Sequence, residues 1–224
     1  MAWEQKKEVE TDTMEKKFNS FSVPLGLLDY INPILYTITM VTVIRNMNGV
    51  MARPYSTFLL IGAVISIFFG FIIPTGKVIV GLGLIKFVMP VSLVFCVNTG
   101  ILISGLMLFH HVMKLGLTAL MFLILLIVGL LTALYFRSRK INTVAVLTGA
   151  VGYLLIYTSL ITLSLRRGTG LPILLYALAI LLFVMLCSIG IKANLKNPKV
   201  HWVIEISNVL CQLLVAAGTM LMFS

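Results

Sequence analysis

The chain reads as an all-α, polytopic membrane bundle of about seven transmembrane helices. Three observations predict it. Of 224 residues, 60% are hydrophobic and only 11% charged, where a soluble domain carries about 25% charged residues. Beyond Pro24 the only acids are Asp29 and Glu205, against thirteen Lys and Arg. A membrane crossing takes ~20 apolar residues, and the remaining length divides into seven such runs with short connections. These features exclude a soluble enzyme, a disordered tail protein and a nucleic-acid reader. The net charge of +10 comes from basic residues in loops, where they set topology and meet anionic headgroups.

Residues 1–23 are a polar tail of mixed charge, and residues 24–224 a single transmembrane domain. The tail has no apolar run of the kind a cleaved signal needs, so the first span is expected to act as the uncleaved insertion signal. The spans are expected at about 25–44, 55–75, 84–112, 115–136, 142–165, 171–191 and 201–222. The second should end at a Thr75-Gly76-Lys77 turn. The third is long and contains Pro90. For residues 77–89 two readings stand. One is a Gly-rich turn at 77–83 before a helix kinked at Pro90; the other is a short re-entrant helix over 78–89.

Basic residues set the orientation. The tail and the loops at 76–86, 137–140 and 192–199 carry Lys6, Lys7, Lys16, Lys17, Lys77, Lys86, Arg137, Arg139, Lys140, Lys192, Lys196 and Lys199. The other side carries Arg45, Arg53, Lys114, Arg166 and Arg167. The positive-inside rule then places the N-terminus in the cytoplasm and the C-terminus outside. In a bacterium this would be the inner membrane.

Ionisable groups inside spans are costly and mark candidate sites. Asp29, Lys86 and Glu205 qualify, each expected in the first turn or so of span one, three or seven, at one depth on the cytoplasmic side. Each acid heads a polar stripe. Asp29, Asn32 and Tyr36 share one helix face, and so do Glu205, Asn208 and Gln212. These seven residues are the candidate pocket, between spans one, three and seven. Other readings of the same residues are carboxylates favoured by helix dipoles, a snorkelling Lys86 and interhelical hydrogen bonds.

No metal site or cofactor is expected. His110 and His111 are adjacent, so their side chains diverge by about 100° on a helix. Cys96, Cys187 and Cys211 are isolated within apolar runs. Small residues such as Gly62, Gly70, Gly149, Gly152 and Gly218 read as helix contacts. Span seven has no lysine, which speaks against a retinal protein.

The order of several motifs resembles the YhhN membrane family, the lysoplasmalogenase-like proteins. The motifs are Asn32-Pro33-Ile34 opening a span, Arg53 leading into Leu60–Gly70 with Ser66, the Gly81-Leu82-Gly83 turn, Leu181–Ala193, and Val200–Gln212 running into Leu213-Leu214. The resemblance implies a helical bundle that cleaves the vinyl-ether bond of lysoplasmalogens with membrane-embedded carboxylates. The family's catalytic motifs are not preserved. Its early acid position holds Phe71, its Ser-Asp pair is Ser188-Ile189, and no histidine stands near Met89. The functional expectation is a cytoplasm-facing pocket that binds a lipid or amphiphile. Alternatives are a small proton-coupled permease and a non-catalytic subunit that meets a partner membrane protein.

Overall fold

The computed structural model describes residues 23–84, 91–138, 141–192 and 198–224. Among them the helices are α1 (Val23–Asp29), α2 (Ile31–Met47), α3 (Arg53–Gly81), α4 (Val91–Met113), α5 (Leu117–Ser138), α6 (Ile141–Arg167), α7 (Gly170–Lys192) and α8 (Pro198–Phe223). Among the described residues seven stretches are long and apolar enough to span a bilayer, with α1 and α2 together making the first. The multi-pass membrane bundle is therefore the architecture of this chain. Inside hydrocarbon each backbone N–H and C=O must be bonded within the protein, which selects helices.

Proline shapes the first span. Pro33 has no N–H to bond the carbonyl of Asp29, and its ring would collide with that carbonyl in a continuous helix. The helix breaks at Tyr30, whose N–H turns back to the Leu27 carbonyl at 3.3 Å. Asp29 thus lies at a junction between two helices, not in the first turn of one.

The second span corrects an expectation. Thr75-Gly76-Lys77 is not a turn, because α3 runs through Pro74 to Gly81. Apolar surroundings punish loose backbone, so one missing N–H at Pro74 is tolerated where a whole turn is not. Thr75 Oγ1 donates to the Phe71 carbonyl at 2.7 Å. The chain turns only at Gly83, with φ of +70°. Residues 78–81 are therefore part of α3 and not of a re-entrant helix. Residues 85–90, which include Lys86 and the expected kink at Pro90, lie outside the described residues. Glu205 is likewise displaced from expectation, since α8 begins at Pro198 and puts it in the third turn.

The core forms around α4 and α6, which pack most extensively, followed by α3 on α4 and α7 on α8. Small residues allow the approach. A Cβ on Gly152 would stand 2.7 Å from the Leu102 amide nitrogen, and one on Gly100 would stand 2.6 Å from the Gly62 carbonyl oxygen. Lipid offers no hydrophobic drive between helices, so close van der Waals packing must hold them together. Met40, Leu108, Leu160, Tyr157 and Tyr176 are fully buried. By contrast α5 meets mainly α6, and Phe122, Leu125 and Phe136 on it point outward into lipid.

Candidate functional site

Asp29, Lys77 and Glu205 meet at the end of the bundle where α1 ends, α3 ends and α8 begins. Lys77 Nζ donates to Asp29 Oδ2 at 2.7 Å and to Glu205 Oε1 at 2.8 Å. All three side chains are nearly buried, at 12%, 11% and 14% exposure for Lys77, Asp29 and Glu205. Asn32 closes the ring from α2. Its Nδ2 donates to Asp29 Oδ1 at 3.1 Å and to Glu205 Oε2 at 3.5 Å. Each carboxylate therefore accepts from one cation and one amide, which is how charge survives at membrane depth.

The local fold explains the meeting. A Cβ at Gly26 would lie 2.9 Å from Val78 Cγ2 and 3.1 Å from the Val78 nitrogen, so α1 lies directly on the stretch of α3 that carries Lys77. Tyr30 adds a second tie, with its hydroxyl 2.7 Å from Thr75 Oγ1. The Thr75 proton is already given to Phe71, so Tyr30 is the donor.

Below the ion cluster lies a cavity of about 220 Å³. Asp29, Asn32 and Tyr36 line it from the first span, Ser66 from α3, Asn98 from α4, Tyr153 from α6 and Asn208 from α8. Two buried polar atoms on its wall have no hydrogen-bond partner, Asn32 Oδ1 and the Tyr36 hydroxyl. The Tyr36 hydroxyl lies beside those of Ser66 and Ser104, but their protons go to the Gly62 carbonyl at 2.9 Å and the Leu59 carbonyl at 3.5 Å, so neither donates to it. A buried polar group left unpaired costs about 1–3 kcal/mol, so a molecule bonding to either atom would recover part of that cost.

The structure thus brings Asp29, Asn32, Tyr36 and Asn208 to one cavity and Glu205 to its rim. Gln212 is buried further along α8. The basic partner of the acids is Lys77, which sequence reading had assigned to a loop. Asn98 and Tyr153 were also missed. An Asn inside an apolar run was the available signal for Asn98, whose Nδ2 now donates to the Ala145 carbonyl at 2.8 Å. Among the described residues no group of three His, Cys, Asp or Glu could hold a metal ion.

At the opposite end of the bundle, His110 is buried and His111 only partly exposed. No family model, curated protein or solved structure significantly matches the chain.

Proposed function

We propose that this membrane protein binds the polar part of a lipid or other amphiphile in the cavity beneath Asp29, Lys77 and Glu205, on the cytoplasmic side. The observation that carries the reading is a polar cavity with two unpaired buried groups, Asn32 Oδ1 and the Tyr36 hydroxyl. Its volume of about 220 Å³ falls below the ~300–1,000 Å³ of sites that enclose a whole drug-sized ligand. It suits a headgroup or small polar end, with the apolar part left toward lipid. Kinship with the lysoplasmalogenase-like family belongs to the same proposal and rests on motif order. Hydrolysis is not part of it, since Phe71 and Ile189 stand where that family's acids would be.

The test is lipid analysis of the purified protein. Wild type should retain a distinct amphiphile, and Asn208→Leu, which replaces a polar wall group of the cavity by an apolar, bulkier one, should lose it. Identical lipid profiles from the two proteins, matching bulk membrane, would refute binding.

A second reading is a proton-coupled permease. It is favoured by the ion cluster, which latches α1, α3 and α8 at one end as a gate would. Liposome flux of a transported solute should then respond to a pH gradient and fail in Glu205→Gln. Flux indifferent to the gradient would remove this reading.

A further inference from the structure

A second cavity, of about 590 Å³, opens at the other end of the bundle. Its lining includes His110, His111, Lys114, Arg166 and Arg167, and Tyr55 beside His110. We propose that it is a binding site for a phosphate oxyanion, carried by a lipid headgroup or free in solution.

The charge distribution points there first. The only acidic side chains beyond Pro24 are Asp29 and Glu205, and both lie at the opposite end. Among the described residues the cavity thus gathers cationic side chains with no acidic side chain to balance them. Topology does not require this, because the positive-inside rule draws basic residues to the other face. Basic pockets between membrane helices on the cytoplasmic side take phosphorylated headgroups, and the same pairing of cation with phosphate oxygen is open to a basic pocket on this face.

The second observation is His110. It is 7% exposed, and its Nδ1 is buried with no hydrogen-bond partner. Its ring packs against that of Tyr55, tilted by 51° at 4.3 Å between centroids, and both residues line the cavity. A neutral imidazole presents one donor and one acceptor nitrogen, and a bound oxyanion would pair with Nδ1 in its N–H form.

The third is the backbone at Lys114. It adopts φ of +53°, the only positive value among the described non-glycine residues. This is the left-handed position that closes α4, with the Lys114 N–H on the His111 carbonyl at 3.3 Å and the Leu115 N–H on the His110 carbonyl at 3.1 Å. The same closure at the end of α6 uses Gly168, with φ of +69°. Glycine takes this conformation without strain and is the usual choice. A lysine there accepts strain and places an ammonium at the cavity.

The basic groups are not all equivalent. Arg167 is engaged by the chain itself, donating from Nη1 to the Met222 carbonyl at 3.1 Å and lying 4.4 Å over the Phe223 ring. The ion pairs among the described residues are those of Lys77, so Lys114 and Arg166 have none. They are the two cations left to meet an anion. Met47, Val50, Leu115 and Leu163 complete an apolar wall against which the rest of an amphiphile could lie.

The experiment measures binding to the full chain in neutral detergent by native mass spectrometry and by thermal shift. The probes are inorganic phosphate, phosphatidylglycerol and phosphatidylcholine. Wild type should bind phosphatidylglycerol, or phosphate, in preference to phosphatidylcholine. Phosphatidylglycerol alone identifies a headgroup site, and binding of phosphate as well identifies a site for the free ion. Lys114→Gly removes the charge and keeps the left-handed backbone, so it should melt no lower than wild type while binding about tenfold more weakly. Arg166→Gln should weaken binding similarly. Unchanged binding in both variants would overturn the proposal. So would equal binding of the two lipids, or no binding of any probe.

Discussion

Replacing Lys77 with methionine should be among the most damaging single changes in this chain. The ammonium is the described cation for two carboxylates, at 2.7 and 2.8 Å, and all three side chains are at most 14% exposed. Methionine keeps the length and apolar stem but leaves Asp29 and Glu205 facing one another with only the Asn32 amide between them. Breaking a buried ion pair by removing one partner costs about 3–5 kcal/mol. In a chain of this size each kcal/mol moves the melting temperature by about 2–4 °C, so Lys77→Met should melt at least ~6 °C below wild type in detergent. The triple variant Asp29→Asn, Lys77→Met, Glu205→Gln removes all three of the described charges at the site. Neutral replacement of a whole buried cluster is often harmless, so the triple variant should recover most of the loss. A single variant that melts like wild type would refute the reasoning, and so would a triple variant as unstable as the single.

Three further outcomes follow from packing and topology. Gly152→Ala should destabilise by about 1–3 kcal/mol in thermal or denaturant unfolding, because the new methyl would meet the Leu102 backbone at 2.7–2.8 Å. Phe122→Ala on α5, where the ring is 68% exposed, should change stability by less than ~0.5 kcal/mol. In a cysteine-free background, Val50→Cys should react with an impermeant thiol reagent from outside the cell and Leu84→Cys only from the cytoplasm; the reverse pattern would invert the orientation.

The spans were legible because hydrocarbon leaves so little choice: charge-free runs such as Leu117–Phe136 have no other use. Asp29 and Glu205 were legible for the same reason, being the lone acids in apolar surroundings. Their stripes to Asn32, Tyr36 and Asn208 followed from helix periodicity. Lys77 was not legible, because Thr75-Gly76-Lys77 has the composition of a turn, and local composition misleads where lipid forbids loops. Asn98 and Tyr153 were hidden by a different cause. They reach the cavity only through the packing of α4 and α6, and no spacing within one helix reveals which neighbour it will face. The break at Tyr30, by contrast, could have been read from Pro33, four residues after Asp29.

The central claim is a polar cavity reached from the cytoplasmic side, and cysteine accessibility tests it most directly. In a cysteine-free background, Asn208→Cys on the cavity wall and Leu213→Cys on the lipid-facing side of α8 would be treated with a small, charged methanethiosulfonate. Asn208→Cys should be modified in inside-out vesicles and Leu213→Cys should not. Protection of Asn208→Cys from the cytoplasmic side, or modification only from outside, would contradict the account.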